Sequence, residues 1–212
     1  MTLGDFGGIG LIVFGYLTGS IPTGILVGNG LFGVNLLQRG SGNMGATNAL
    51  RSIGVGAAVV VLIGDFFKGV LVAAITGIVL PDQPFVQAAA SMAAVIGHTR
   101  PIFTNFRGGR GVATGMGAAA VIYPIVIAVG IPVGIMLVIF LRYVSLGSII
   151  GTVTGVLVGL ILYITGYPSR VEDTIFVVLA GTLIVWQHLP NLKRLIAGKE
   201  LQIAEWSSYF RN

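Results

Sequence analysis

Residues 112–142 read VATGMGAAAVIYPIVIAVGIPVGIMLVIFLR, and how many times this stretch crosses a bilayer decides the fold. Arg142 is its only charge. A membrane helix needs about 20 apolar residues, so the run is too long for one ordinary span. Re-entry at Tyr123-Pro124 or at Gly130-Ile131-Pro132 makes it two helices. One long helix kinked at a proline is the alternative, and it reverses the parity of everything downstream. Division at Gly130 predicts helices over 112–128 and 130–142.

Working outward, five further apolar runs predict helices over about 6–28, 54–80, 84–98, 145–166 and 172–188. That is seven in all, with no room for a separate soluble domain. The charges test the count. With seven helices, Arg39, Arg51, Arg100, Arg107, Arg110, Arg142, Lys193, Arg194, Lys199 and Arg211 share one side. Asp5, Asp82, Arg170, Glu172 and Asp173 share the other, and Lys68 lies within a span. The positive-inside rule then places the N-terminus outside and the C-terminus in the cytoplasm. Loops 29–53 and 99–111 and the tail 189–212 become cytoplasmic together, whereas six helices would put the basic tail outside. The expected fold is therefore an all-α, polytopic integral membrane protein forming one membrane domain over 1–212.

Composition agrees. Of 212 residues, 55% are hydrophobic and 9% charged, against roughly a quarter charged in soluble domains. The mean hydropathy is +0.95. Glycine is abundant at 33 residues, which suits helices packed through small faces such as Gly151 and Gly155. The segment before the first run carries Asp5 and no Lys or Arg, so that run reads as a retained helix rather than a cleavable signal. With no cysteine, disulfides, thiolate nucleophiles and cysteine metal sites are excluded. Two histidines and seven scattered carboxylates leave no metal-ligand cluster. No His-x-x-x-x-Asp, paired-aspartate or Gly-x-Ser-x-Gly motif is present, and nothing points to a nucleic-acid partner.

Chemistry concentrates in two glycine-rich loops on the basic side. The first runs from Gly40 to Arg51 and carries Ser41, Gly42, Asn43, Gly45, Thr47, Asn48 and Arg51. Glycines let backbone N–H groups crowd an anion, and Ser41 or Asn43 is placed to cap a short helix ending near Ile53. Arg51 would lie about two turns along, within reach of that anion. The second loop joins His98 to Arg107-Gly108-Gly109-Arg110-Gly111. A phosphate there would meet Arg107, Arg110 and free N–H groups at a helix start. A plain interfacial turn with snorkelling arginines explains the charges but not the glycine arrangement.

Other polar residues are weighed singly. His98 reads either as a helix-end cap or as a group touching substrate. Asp65 and Lys68 lie one turn apart inside a span and must pair or face a polar cavity, in a structural or a catalytic role. By spacing alone Ser145 is a helix N-cap. Around His188, Asn191, Arg194 and Glu200 the chain becomes a basic amphipathic extension suited to anionic lipid.

Taken in order, these stretches resemble the bacterial membrane acyltransferases that acylate glycerol 3-phosphate from an acyl-phosphate donor. The likeness is carried by residues 40–48 with Arg51, 65–69, Gly97-His98 with Pro101, and 106–114. It continues in Arg142-Tyr143-Val144-Ser145 and in His188, Asn191, Arg194, Gly198 and Glu200, and so covers almost the whole chain. Arg110 departs from the family's usual lysine, and Gln187, Leu189 and Pro190 supply less charge than usual beside His188.

The resemblance implies seven membrane helices with the site at the cytoplasmic face of the bacterial cell membrane. It implies acyl transfer to the 1-hydroxyl of glycerol 3-phosphate, giving lysophosphatidic acid and phosphate, the first step of phospholipid synthesis, with no cofactor and no metal. Ser41, Arg51, His98, Arg110 and Ser145 are its expected catalytic residues. Gly42, Asn43, Gly45, Thr47, Asn48, Arg107, Gly108, Gly109, Gly111, His188, Asn191, Arg194 and Glu200 are expected to bind substrate. Gly108, Gly109 and Gly111 are the expected backbone donors to the donor phosphate or oxyanion. The substrate phosphate is the expected base, with His98 orienting groups. Expected partners are the two phosphorylated substrates, the bilayer and, transiently, the enzyme that makes the acyl-phosphate. An organic-phosphate transporter or exchanger is the competing reading. It would use the same loops but should place cations near the bilayer midplane or on both sides.

Overall fold

The computed structural model describes residues 3–203, which are helix and loop without strand. Ten helices follow in order: α1 (Leu3–Ser20), α2 (Thr23–Phe32), α3 (Ala46–Ser52), α4 (Val55–Val79) and α5 (Pro84–Thr99). Then come α6 (Val112–Ile122), α7 (Pro124–Leu141), α8 (Val144–Ile164), α9 (Val171–Gln187) and α10 (Leu189–Ile196). Arg211 and the rest of the expected tail beyond residue 203 lie outside the described residues.

Among the described residues, four segments are long and apolar enough to cross a membrane: Phe6–Phe32, α4, α7 and α8. The pair α9 and α10, bent by 51°, makes a fifth, and α6 is a shorter apolar helix. Among the described residues, four or five segments thus meet that length and composition, where seven were expected. The expected run 6–28 breaks at Ile21-Pro22 and resumes as α2.

The decisive stretch divides at Tyr123 and not at the expected Gly130. Pro124 opens α7 at its first turn, where a missing N–H is no loss. Tyr123 is buried, and its hydroxyl donates to the Gly159 carbonyl of α8 at 3.5 Å. Gly130 instead lies within α7, where a Cβ would come within 2.7 Å of the Gly151 carbonyl on α8. It is a packing glycine, and Pro132 sits two residues on inside the same helix. Arg110 before α6 and Ser145 at the start of α8 both meet Glu200, by charge and by a 2.9 Å hydrogen bond respectively. The stretch thus leaves one end of the bundle and returns to it.

Small residues set the remaining pairings. α1 packs on α5, α4 on α6, and α7 on α8. Across the last pair, a Cβ on Gly134 would meet the Gly147 carbonyl at 2.8 Å, so the backbones touch. Val95, Ala118, Ala119, Tyr123, Val126 and Phe176 form the core where α5, α6, α7 and α9 converge.

Candidate active site

The first glycine-rich loop is organised by Asn48. Its buried side-chain amide donates to the carbonyls of Leu36 (2.9 Å), Arg39 (3.0 Å) and Asn43 (2.7 Å), and its Oδ1 accepts the Ser41 N–H at 2.8 Å. Gly40 and Gly42 have positive φ values of 59° and 67°, which an L side chain adopts only with strain. Asn43 Oδ1 accepts the Gly45 N–H at 2.9 Å, so neither Ser41 nor Asn43 caps α3 as expected; Gly45 is the N-cap. The outcome is a rigid loop with Ser41, Thr47 and Arg51 lining one cavity. Asn48 lines it too, but its donors are already committed to holding the loop. Gly42 is not among the lining residues.

The second loop is pinned to His98. The Gly109 N–H donates to the His98 carbonyl at 2.9 Å, and Gly109 packs so closely on the ring that a Cβ there would collide with Nε2. Gly108 likewise has no room for a Cβ, against the same carbonyl. The expectation that Gly108 and Gly109 offer free N–H groups to a phosphate is corrected accordingly: Gly109 spends its own on the main chain, and neither residue lines the cavity. Arg110 and Gly111 do line it. Arg107, expected beside Arg110 on one phosphate, is exposed and points elsewhere. Two glycines separate Arg107 from Arg110, and only Arg110 lines the cavity.

Beneath this loop, His98 Nδ1 lies 3.5 Å from Asp65 Oδ1, and Lys68 Nζ lies 2.9 Å from the same oxygen. Lys68 also donates to the Ile21 carbonyl at 3.2 Å, just where α1 ends. Asp65 and Lys68 are thus a buried pair that joins α4, α5 and the α1–α2 break, while Asp65 and His98 both line the same cavity as Ser41.

The C-terminal segment completes the site. After α10, Gly198 turns the chain at φ 64° and brings Glu200 inward. Its carboxylate accepts from Ser145 Oγ (2.9 Å), Asn191 Nδ2 (2.6 Å) and Arg194 Nε (2.7 Å). Burial raises the Glu200 carboxyl, but these three hydrogen bonds and the Arg194 charge outweigh it and hold its pKa below the ordinary carboxylate value. Glu200, expected to bind substrate, therefore organises the residues that can. His188 Nδ1 lies 2.8 Å from the Ile184 carbonyl. A carbonyl only accepts, so Nδ1 carries the proton and Nε2 keeps a lone pair. Asn191 Oδ1 is buried without a hydrogen-bond partner among the described residues. Arg194 stands at the rim and is not a lining residue.

These elements enclose a cavity of about 640 Å³. One end is lined by Ser41, Arg51, Arg110, Ser145, Asn191 and Glu200. The remainder is an apolar arm between α4, α6, α7, α8 and α9, lined by residues such as Phe66, Met116, Val126, Ile135 and Phe176. Arg110 feels the like charges of Arg194 and Arg51, with Glu200 as the opposing charge. Among the described residues, no three His, Asp or Glu side chains are grouped to hold a metal ion. An anionic head and a long apolar tail fit this shape together.

A model of the glycerol-3-phosphate acyltransferase family matches residues 9–198. The chain belongs to that family. The glycerol-3-phosphate acyltransferase of Halalkalibacterium halodurans is 40% identical over 192 residues, covering 90% of this chain and 92% of that protein. Its counterpart in Thermus thermophilus is 40% identical over 197 residues, covering 92% and 94%. Two crystal structures of PlsY (YgiH), an integral membrane glycerol 3-phosphate acyltransferase, share the fold. Its glycerol 3-phosphate form is 35% identical with a TM-score of 0.86, covering 97% of this chain and 100% of that one. Its lysophosphatidic acid form is 36% identical with a TM-score of 0.82, covering 92% and 95%.

For this glycerol-3-phosphate acyltransferase family member, the sequence reading missed the apolar arm. The signal was present in the four-residue spacing of Gly130 with Gly134 and of Gly147, Gly151 and Gly155. These glycines bring α7 and α8 together and line the cavity. Their spacing specifies a close helix pair but says nothing about which side of the pair is hollow.

Proposed function

We propose that this chain is an acyl-phosphate:glycerol-3-phosphate O-acyltransferase of the bacterial cell membrane. It spans the bilayer seven times, N-terminus outside, with its site facing the cytoplasm. The observation that carries this reading is the single cavity joining a cationic, hydroxyl-rich end to a long apolar arm. Both substrates carry phosphate, and one carries a fatty chain that the arm can take. The asymmetry of basic residues and the return of residues 112–142 to the site end support the orientation and the count.

In this mechanism Ser41, Arg51 and Arg110 hold phosphate, with Arg194 at the entrance. Asn191 Oδ1, an acceptor lacking a partner, suits a glycerol hydroxyl, as does the lone pair of His188 Nε2. The glycerol 1-oxygen attacks the acyl carbon, the acyl carbon–phosphate oxygen bond breaks, and the departing phosphate takes the hydroxyl proton. His98 lines the cavity between Asp65 and the Gly109 main chain and orients groups there. Holding both reactants in place supplies several kcal/mol of the barrier, on the order of 7 in well-oriented cases.

Acylation of labelled glycerol 3-phosphate by the purified protein tests the reading, with palmitoyl-phosphate, acyl-CoA and acyl-carrier protein as rival donors. Turnover with palmitoyl-phosphate alone, unchanged by chelator, is expected. Turnover with thioesters alone would overturn the donor assignment, and no product from any donor would return organic-phosphate transport to the front. His98→Ala should lose rate without imidazole rescue; rescue would make His98 the base.

A further inference from the structure

We infer that residues 101–107 form a membrane-immersed wedge, whose partner is the lipid bilayer itself. Three observations fix the depth of this loop. First, α5 has 16 residues and is about 24 Å long, short of a hydrocarbon core of about 30 Å, so it cannot reach both surfaces. Second, His98 at that end meets Asp65, which lies roughly 15 Å along α4 from Val55. Third, the Tyr16 hydroxyl donates to the Arg100 carbonyl at 2.9 Å, and Tyr16 lies in the middle of the apolar segment Phe6–Phe32.

The surface of the loop matches that depth. Ile102, Phe103 and Phe106 are 49%, 61% and 56% exposed, and Leu17 on α1 and Ile96 on α5 are exposed apolar residues too. Hydrocarbon tolerates irregular backbone only when its polar groups are satisfied within the protein. Here the Phe106 N–H donates to the Pro101 carbonyl (2.9 Å) and the Arg107 N–H to the Thr104 carbonyl (3.1 Å). Thr104 Oγ1 closes the turn by donating to the Arg107 carbonyl at 2.9 Å. Asn105 and Phe106 take positive φ values of 51° and 60°, a conformation costly for a bulky side chain and one that turns Phe106 outward. Arg100 and Arg107 flank the wedge, exposed and long enough to reach the headgroups. The wedge runs directly into Gly108–Gly111 and so sets Arg110 at the level where a lipid-borne donor arrives sideways.

The chain has no cysteine, so a single Phe103→Cys variant can carry a nitroxide label without background. In vesicles of phosphatidylethanolamine and phosphatidylglycerol, the label should be reached by oxygen far more than by a water-soluble nickel chelate. Its ratio should match that of Ile96→Cys on the lipid-facing side of α5 and differ from that of Asp82→Cys in the opposite turn. Nickel access equal to that at Asp82 would overturn the wedge and leave the loop as a water-facing surface for a soluble protein.

A second arm rests on the proposed acyltransfer. Phe103→Ser should raise KM for palmitoyl-phosphate about tenfold, leave KM for glycerol 3-phosphate and for a short, water-soluble acyl-phosphate unchanged, and be rescued by Phe103→Leu. An equal rise for all three would reduce the loop to a structural element. Failure of the wild type to turn over any donor would sink the proposed function while the nitroxide result still decides the wedge.

Discussion

The two ends of the bundle handle arginine in opposite ways. At the end away from the cavity, Arg170 is clamped by Asp173, with contacts of 3.1, 3.1 and 2.8 Å, and by Gln87 Oε1 at 3.1 Å. Gln87 in turn donates to the Ala73 carbonyl, so one arginine ties α9, α5 and α4 together. At the cavity end, Arg110 and Arg194 face a single carboxylate, Glu200, and Arg51 adds its like charge beside Arg110. The neighbouring Asp65 already has Lys68. A cation matched by its own carboxylate is a fastening. Two cations sharing one carboxylate leave a surplus of positive charge, which a phosphate can complete.

That contrast is sharpest under charge removal. Arg110→Ala and Arg51→Ala should each lower kcat/KM by about a hundredfold, equivalent to about 2.7 kcal/mol, with unfolding unchanged in detergent. Retention of activity within a few-fold would show that the surplus charge is not the working feature. Arg110→Lys should recover most of the loss, since the charge remains while the planar fork does not.

Gly109→Ala should cost tenfold or more, because the new methyl group meets the His98 ring. Adding His98→Ala should return part of that loss if the collision is the cause; simple additivity of the two changes would count against it.

Glu200→Ala comes next, at about tenfold in kcat/KM, because Ser145, Asn191 and Arg194 lose their common acceptor. The pH dependence follows from the depressed Glu200 value. Its contribution is complete above the ordinary carboxylate range and is lost as pH falls through the lower folded value. Thermal stability measured from pH 5 down to pH 3 should fall less steeply in Glu200→Gln than in the wild type.

The smallest effect belongs to the far end. Arg170→Ala should leave turnover within twofold and lower stability by about 0.5–1 kcal/mol, because its side chain is 43% exposed and solvent screens the pair. A large loss of activity there would dissolve the distinction between the two ends.

Much of this architecture can be read from the residues before any coordinates. Long apolar runs and scarce charge specify a membrane protein, because burying bare backbone or unpaired charge in lipid is too costly for other solutions. The proposed anion site is read from two glycine-rich basic loops. Asp65 and Lys68, one turn apart, could be foreseen as a pair. Less legible was the direction of each side chain. Arg107 and Arg110 look equivalent as text, yet one is exposed and the other lines the cavity. Asn48 looks like a ligand-binding amide but is spent on loop carbonyls, since a short glycine-rich turn needs a polar hub of its own.

By itself, then, the sequence determined the solvent, the basic and acidic sides, and the places where backbone must turn tightly or cations must gather. These are properties of composition and local spacing, and they survive any packing. Tertiary structure decided that Tyr123 rather than Gly130 is the hairpin. Both positions carry turn signals, but only at Gly130 does a neighbouring backbone press close enough to demand a missing side chain within a continuous helix. It also decided which cations share Glu200, because that carboxylate lies 55 residues beyond Ser145 and meets it only once α10 and Gly198 fold the chain back.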